Sequence, residues 1–402
     1  MLNKRREILR MEKREKQKNQ VNHGITLIAL VITIIVLLIL AGVTIATLTG
    51  ENGILTKASE AKIETAVGAV KESIQLEQVE KSIEGKQVNP ETLLADGRVQ
   101  RTVQKAEDGN YYMYYALKEE AYEGMQGLGK GNLTSLKDVF LIDDDLNVKY
   151  IGSNGKEYGD NINNKILEDE TEIRFSSKAF SEYISKISGV TEEEMKFKWM
   201  KNQTSLTIAD TSVDSLQDLV FFPNLTSLTL GEYGSNIPPI TTMDGVENCT
   251  KLTSLNIIYG PDKDYSAVSK LTNLTQFNKF SGNDYNNIID SLKSCSKLKS
   301  FTLMYSEIGQ NMKRLKELGN LIELIRLEGC KITKIEGLDN KNNLTSLLLA
   351  YNEITKIEGL ENLTNLKVLY LNNNNIQDIT PLRENTSLVT LDLRGNSKID
   401  SN

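Results

Sequence analysis

The sequence has few of the residues on which most enzyme active sites depend. It contains one histidine, His23, and three cysteines, Cys249, Cys295 and Cys330, in 402 residues. Because this number is small and odd, it does not suggest a disulfide framework, and we expect all three to be buried free thiols in separate coils of the core. The scarcity of histidine also leaves little material for a nucleophilic or zinc-dependent site.

Two segments match cofactor motifs only in part. Residues 124–131 have the glycine and lysine spacing of a phosphate-binding loop, but Gly131 stands where that loop needs Ser or Thr, which favours a flexible loop. The cluster Asp143, Asp144 and Asp145 lacks the glycine and the distal glutamate of a calcium loop, which favours a hairpin turn over weak calcium binding. The sequence therefore predicts no cofactor and no metal site.

Charge is absent from one long run, Ile25 to Thr49. At about 1.5 Å per residue, a helix of this length exceeds the roughly 30 Å hydrocarbon core of a bilayer. Residues 1–23 hold eight Lys and Arg against three Glu, and a basic flank stays in the cytoplasm. We therefore expect one transmembrane helix at 25–49 with everything after Gly50 outside the cell. The net charge of −7 argues against nucleic acid as a partner.

The junction before this run, His23-Gly24-Ile25-Thr26-Leu27, resembles the type IV prepilin cleavage and methylation motif. The resemblance implies a leader at 1–24 that a prepilin peptidase removes after Gly24, leaving Ile25 as a methylated N-terminus. Ala29 stands where the family has a glutamate that pairs with a neighbouring subunit's terminal amine, so processing is better supported than filament assembly. A chain that begins at Ile25 has no histidine, which predicts that the protein is not an enzyme.

A helical pattern is followed by strand patterns between residues 50 and 170. Residues 50–88 predict a continuing amphipathic helix with these apolar residues on one face: Ala58, Ala61, Ala66, Ala69, Val70, Ile74, Leu76, Val79 and Ile83. Residues 89–170 predict a small antiparallel β domain and linker, with hairpins at 101–117 and 139–151. This α+β order resembles the pilin-like fold. We interpret Tyr111, Tyr112, Tyr114 and Tyr115 as packing residues, with glycan binding as the alternative.

The C-terminal half is repetitive. Cys330, Asn352, Asn374 and Asn396 lie 22 residues apart, and each closes one pattern, as in Leu344-x-x-Leu347-x-Leu349-x-x-Asn352. Weaker copies extend back to Gln203 and predict nine coils over 203–402, with loops at 232–242 and 281–291. Such a period indicates short strands whose apolar faces are buried when coils stack, while Asn at each corner bonds the backbone of the next coil.

These repeats resemble the leucine-rich repeat family, and their length is similar to that of the internalin-type subclass. The resemblance implies an α/β horseshoe-type solenoid with a parallel β-sheet on its concave face. Residues 171–202 resemble the helical N-terminal cap of such domains. Within this segment, Phe180, Tyr183, Ile184 and Ile187 recur at helical spacing, and Thr191 is expected to cap a second helix.

The strand positions that face the concave side predict the ligand-binding surface. Across the coils they form an apolar and aromatic stripe: Ile258, Tyr259, Phe280, Met304, Tyr305, Arg326, Leu348, Tyr351, Tyr370 and Arg394. An exposed stripe of this kind indicates a contact site for a protein or glycan, unless irregular early coils place some of these residues in the core.

Together these patterns predict a function in binding. We expect a cell-surface adhesion or binding protein with a single-pass membrane anchor, an N-terminus in the cytoplasm and an extracellular repeat domain. The alternative is a pilin-like subunit of a type IV pilus or a type II secretion-like filament, which would carry the repeat domain as its payload.

Overall fold

A computed structural model of the chain describes residues 53–125, 128, 131, 133, 135–234, 237–258 and 263–396. The predicted leader at 1–24 and the apolar run at 25–49, with Gly24 and Ile25, lie outside the described residues, as does Tyr259. In the part of the chain that is described, no helix combines the length and apolar character needed to cross a bilayer. The chain divides into two units, residues 1–70 and 71–402.

The first helix, α1, extends over Ile54–Ile83 and is shorter than the predicted segment at 50–88. The predicted helix is thus confirmed over this range, but the prediction that all of its named apolar residues share one face is wrong. Ile74 is buried, whereas Leu76 and Val79 are 59% and 60% exposed. The physical reason is the helical repeat, because Ile74 and Leu76 are two residues apart and therefore point to nearly opposite sides of the helix. A second helix, α2 (Pro90–Ala95), begins at a capping box formed by Asn89 and Thr92.

A small antiparallel sheet follows, as the hairpin patterns predict. Its strands are β1 (Val99–Lys105), β2 (Tyr111–Leu117), β3 (Val139–Ile142), β4 (Val148–Ile151), β5 (Glu157–Gly159) and β6 (Lys165–Leu167). The order of the described strands is β1-β2-β3-β4-β5, and β6 pairs with β2. Both predicted hairpins, β1 with β2 and β3 with β4, are confirmed by their register.

Asp143 organises the turn between β3 and β4. Its Oδ1 accepts hydrogen bonds from the backbone N–H groups of Asp145 and Asn147 at 3.0 and 2.9 Å. Its Oδ2 accepts from the backbone N–H of Asn163 at 3.1 Å. The carboxylate is therefore occupied by the turn, which confirms the predicted hairpin interpretation of this acidic cluster. Within the described ranges, no group of His, Cys, Asp and Glu side chains could hold a metal ion.

Two helices precede the repeats: α3 (Lys178–Ser188) and α4 (Phe197–Lys201). Ser177 caps α3 by accepting a hydrogen bond from the backbone N–H of Phe180 at 3.2 Å. The predicted cap at Thr191 is wrong, since residues 192–194 form only a 3₁₀ turn and Thr191 makes no side-chain capping bond. Its hydroxyl instead donates to the Glu194 carboxylate at 3.0 Å. Phe180, Tyr183 and Ile184 are buried as expected, whereas Ile187 is 44% exposed.

The repeats form a parallel sheet with nine described strands, as predicted. They are β7 (Ser205–Ile208), β8 (Ser227–Leu230), β9 (Ser254–Ile258), β10 (Gln276–Gly282), β11 (Ser300–Ser306), β12 (Leu324–Glu328), β13 (Ser346–Leu348), β14 (Val368–Tyr370) and β15 (Thr390–Asp392). Between them the chain returns mainly through 3₁₀ turns. Part of the predicted loop at 281–291 is instead a helix, α5 (Tyr285–Leu292), whose apolar side is buried.

Asparagine side chains connect adjacent coils at their corners. The Asn352 Oδ1 accepts hydrogen bonds from the backbone N–H groups of Cys330 and Ile332 at 2.9 and 3.1 Å. Its Nδ2 donates to the carbonyl oxygens of Leu327 and Leu349 at 2.7 and 3.0 Å. Asn374 repeats the arrangement one coil later, where its Oδ1 accepts from the backbone N–H of Ile354. The predicted corner function of asparagine is confirmed, except that the bonds go to the preceding coil and not to the next one.

All three cysteines are buried free thiols, as the sequence predicts. Cys249 precedes β9, Cys295 precedes β11, and Cys330 follows β12, so each belongs to a different coil. Burial raises the pKa of the Cys295 and Cys330 thiols to about 12. At neutral pH these residues are therefore protonated and act as small apolar core groups.

One coil places a charge at an inward position, which the sequence analysis missed. Lys279 on β10 is fully buried at the register position of Leu303 on β11. Its Nζ lies 3.6 Å from Asp284 Oδ2, and it donates to the carbonyl oxygen of Ser281 at 2.5 Å. Asp284 Oδ2 also accepts from the backbone N–H of Lys263 at 3.3 Å. The buried amine is thus paired and hydrogen-bonded, as a charge in a core must be.

Candidate ligand-binding surface

The outward residues at the middle of each strand form a single row across the sheet, here called the central row. Strand pairing aligns its members in order: Thr207, Thr229, Asn256, Asn278, Thr302, Arg326, Leu348, Tyr370 and Asp392. Neighbours in such a row are about 4.8 Å apart. The first five members are Thr or Asn, whereas the last four bring a cation, an aliphatic group, an aromatic ring and an anion next to one another.

In the first half of the central row the polar side chains bond to one another. Asn278 Nδ2 donates to Asn256 Oδ1 at 2.6 Å, and Asn256 Nδ2 donates to Thr229 Oγ1 at 3.4 Å. These groups already have partners across the sheet. The first half of the central row is therefore polar, although two residues further along β10 the half-buried Phe280 ring packs against the exposed Tyr233 ring at 5.3 Å between centroids.

The second half carries four half-buried apolar side chains, here called the apolar patch: Leu324, Leu348, Val368 and Tyr370. Leu324 and Val368 flank Ser346 in the register, while Leu348 lies directly beside Tyr370. The patch thus spans three adjacent strands, β12 to β14. Because strands in a sheet hold their side chains at fixed spacing, its shape is set before a ligand arrives.

An ion pair lies on each side of the apolar patch. Arg326 donates to Glu328 Oε2 at 2.9 Å on one side, and Arg394 donates to Asp392 Oδ2 at 2.7 Å on the other. The hydrogen bond from Arg394 lowers the pKa of the Asp392 carboxyl, so this pair stays ionised at neutral pH. Paired charges at the border leave the centre of the patch without net charge.

The predicted binding residues occupy three positions of the repeat and not one strip. Arg326, Leu348 and Tyr370 belong to the central row, whereas Ile258, Phe280, Met304 and Arg394 stand two residues later and Tyr305 and Tyr351 three residues later. Ile258 and Met304 are each only 8% exposed, which differs from the expected exposed stripe. Both follow an inward residue, but Ile258 is the last residue of β9 whereas Met304 lies two residues before the end of β11.

Tyr305, the sixth residue of β11, and Tyr351, three residues after the end of β13, are each 59% exposed. In six successive described coils, the residue just before the asparagine corner position has positive φ: Ser281, Tyr305, Gly329, Tyr351, Asn373 and Gly395. The Tyr305 ring covers Gly329, because a Cβ atom added to that glycine would lie 2.7 Å from the ring. The two tyrosines therefore flank a glycine corner at the edge of the concave sheet. The leucine and asparagine spacing of the sequence does not predict this backbone conformation.

The comparisons with known proteins agree with the repeat pattern. Residues 342–384 and 364–402 match the family model "Leucine Rich repeats" in two copies. The chain therefore carries leucine-rich repeats, and the parallel sheet extends the same coil from β7 to β15. No curated protein matches the chain.

Several solved structures are similar to the chain. Internalin C2 of Listeria monocytogenes is 22% identical with a TM-score of 0.45, over 55% of this chain and 94% of that one. InlP of Listeria monocytogenes is 19% identical with a TM-score of 0.42, over 55% and 64%. The plant peptide hormone receptor RGFR1, in complex with RGF2, is 19% identical with a TM-score of 0.38, over 50% and 34%.

Proposed function

We propose that this chain is an extracellular binding protein, anchored in the cell membrane by residues 25–49, that holds a protein ligand on the C-terminal half of its concave sheet. The observation that carries the proposal is the apolar patch on β12 to β14. It is a preformed, half-buried surface bordered by paired charges, in a sheet whose other half has only Thr and Asn in the central row. Its function is binding without catalysis.

The chemistry of the apolar patch favours a protein over a glycan. Three of its four side chains are aliphatic, and only Tyr370 offers an aromatic face of the kind on which sugars stack. Protein interfaces combine an apolar centre with a polar rim, and tyrosine and arginine contribute much of the binding energy. Arg326 and Arg394 stand at the border of the patch, and the exposed Tyr351 lies at the nearby corner.

Site-specific cross-linking tests where the ligand binds. A photoreactive benzoylphenylalanine placed at Leu348, on cells that display the full chain, is expected to form a covalent adduct with the ligand. The same residue at Thr229, in the polar half of the central row, is the matched control and is expected to give none. Equal adducts at both positions, or none at Leu348, would show that the patch is not the contact site.

A pair of substitutions tests the contribution of the patch to affinity. The double variant Leu348→Ser and Tyr370→Ser is expected to weaken binding of the ligand that cross-linking identifies at least about a hundredfold. The reason is that interface anchors contribute about 2 kcal/mol or more each. The double variant Thr207→Ser and Thr229→Ser should bind as the unchanged chain does. Far-ultraviolet circular dichroism of both variants checks that the repeat fold is retained.

The second candidate function is a pilin-like filament subunit. It is favoured by the order of α1 followed by an antiparallel sheet and by the Gly24-Ile25 junction. Mass spectrometry of the N-terminus of the native protein tests processing: this candidate requires cleavage after Gly24 and a methylated Ile25. An intact N-terminus that coexists with protease-accessible repeats on whole cells would leave the membrane-anchored binding protein alone.

A further inference from the structure

A cleft separate from the concave sheet lies where the small β domain meets the helical cap. Its volume is about 470 Å³. Glu91, Arg101 and Lys165 line it from the β domain, and Ile173 and Arg174 line it from the segment that leads into the cap. Sites for small organic ligands commonly measure about 300–1,000 Å³. The cleft is therefore large enough for a compact small molecule.

The inner wall of the cleft is apolar. Met113 and Leu167 from the β domain are 5% and 4% exposed, Ile173 is 4% exposed, and Phe221 of the first return segment is 2% exposed. Side chains buried to this extent are held by the core behind them. Binding of an apolar group in the cleft therefore orders few protein side chains, so the entropy cost falls mainly on the ligand.

Arg101 stands beside this wall and is 92% buried, since its exposed fraction is 8%. It donates to Glu91 Oε2 at 2.5 Å, and its guanidinium lies 5.6 Å from the centre of the Phe221 ring. Its Nε is buried and has no hydrogen-bond partner in the described part of the chain. The guanidinium also lies 3.7 Å from Asp218 Oδ1, so it is held between two carboxylates beside the apolar wall.

The carboxylates of the cleft already have cations, whereas two of its cations make no close ion pair. Glu91 pairs with Arg101, and Glu172 pairs with Lys196 at 2.9 Å. Among the residues that the structure describes, Lys165 and Arg174 are exposed and make no close ion pair, although they lie near the carboxylates of Glu91 and Glu172, respectively; the lining therefore holds three cations against two carboxylates. The rim of the cleft therefore has unbalanced positive charge next to an apolar wall.

The geometry points to a binding site for a small organic acid that carries its carboxylate on an apolar body. The carboxylate lies between Lys165 and Arg174, and the apolar body lies against Met113, Leu167 and Ile173. Arginine and lysine are the side chains that bind carboxylates in proteins. The two glutamates in the lining disfavour a dianion such as a phosphate ester, so a monoanion fits best.

Calorimetric titration of the full chain in lipid nanodiscs, with empty nanodiscs as the blank, tests this site. The probe is 3-phenylpropionate, and 3-phenylpropan-1-ol is its uncharged counterpart. The acid is expected to bind saturably at one site and the alcohol at least about tenfold more weakly, because only the acid uses the cations. Equal binding of the two compounds, or no saturable binding of the acid, would overturn the assignment.

Matched substitutions locate the bound acid. Lys165→Ala and Arg174→Ala are each expected to weaken binding about threefold, and their combination about tenfold, as for partly exposed ion pairs. Lys198→Ala removes a comparably exposed cation outside the cleft and should change nothing. A loss for Lys198→Ala as large as for the cleft variants would show that general surface charge, and not this cleft, attracts the acid. Both cleft positions are exposed, so folding is retained.

Discussion

A single amide group holds neighbouring coils together at each asparagine corner. Asn352 satisfies two backbone N–H groups of the preceding coil and one of its carbonyl oxygens, all of them buried. No other side chain of this size offers a donor and an acceptor in that geometry. Stability of the solenoid thus depends on a few corner residues that touch no ligand.

Replacing Asn352 by Ala is expected to lower the free energy of unfolding by about 2–4 kcal/mol, because several buried backbone groups lose their partners. Asn372→Ala is the matched control, since the Asn372 side chain is half-exposed and makes no corner hydrogen bond. Urea unfolding followed by circular dichroism measures both. Similar losses in the two variants would contradict the structural role of the corner amide.

Buried lysines give the repeats a pH dependence. Lys341 is fully buried, donates to the carbonyl oxygen of Leu318 at 3.0 Å, and burial lowers its pKa to about 8 from 10.5. Between pH 8 and 10.5 the unfolded chain still binds the proton that the folded chain has released, so the free energy of unfolding rises with pH in this window.

The substitution Lys341→Met isolates this contribution. The unchanged protein should gain stability relative to the variant by on the order of 1–3 kcal/mol between pH 8 and pH 10.5, while Lys263 titrates alike in both. Chemical unfolding at several pH values gives the difference. A difference in stability that stays constant over this range would show that Lys341 keeps an ordinary pKa in the folded protein.

The elements of the repeat domain divide the concave sheet into a polar half and an apolar half. The boundary falls between β11 and β12, where the central row changes from Thr302 to Arg326. Each strand fixes the spacing of the central row. A residue with positive φ follows the central-row position three residues later in six successive described coils.

Gly329 tests how closely successive corners pack. Gly329→Ala is expected to lower the free energy of unfolding by about 2 kcal/mol more than Gly309→Ala. Both glycines have positive φ, but a Cβ at Gly309 meets nothing within 4 Å, whereas one at Gly329 meets the Tyr305 ring. Thermal unfolding compares them. Adding Tyr305→Ala to Gly329→Ala should restore much of the loss; no restoration would mean that the ring is not the obstacle.

The sequence predicts these elements well where the repeat is regular. From Ile322 onward a leucine or isoleucine stands at each inward position and an Asn or Cys at each corner, so strand register follows from counting residues. Lys279 and α5 were not predicted, because the leucine pattern does not show that the Lys279 amine would be buried with Asp284 or that one return segment would form a helix. The grouping of Leu324, Leu348, Val368 and Tyr370 also required the observed pairing, since two repeat positions contribute to it.

At the scale of residues 71–402, the β domain and the solenoid share a buried junction. The Arg101 guanidinium lies between Glu91 of the β domain and Asp218 of the first return segment, 3.7 Å from the latter. Ser176 and Ser177 donate backbone N–H groups to Asp218 at 2.9 Å. Charges buried in this way are stable only as a set, so the two parts are expected to unfold together.

Arg101→Met is expected to lower the free energy of unfolding by about 3–5 kcal/mol and to separate one thermal transition into two, because it leaves Asp218 buried without a cation. Arg98→Met is the control, since Arg98 is more exposed and pairs with Glu77 within the β domain and α1. Arg98→Met should lower the free energy of unfolding by about 1 kcal/mol or less. Calorimetric scans distinguish the outcomes, and a single unsplit transition for Arg101→Met would refute the coupling.

The three buried thiols allow local opening of the solenoid to be measured. Cys249, Cys295 and Cys330 are distributed along the coil and reach solvent only when the coil around each one opens. The rate at which a thiol-specific reagent labels each cysteine therefore measures how often the surrounding coil opens in the unmodified protein. Identical labelling rates would indicate that the array opens as one body, whereas graded rates would reveal the end from which the stack comes apart.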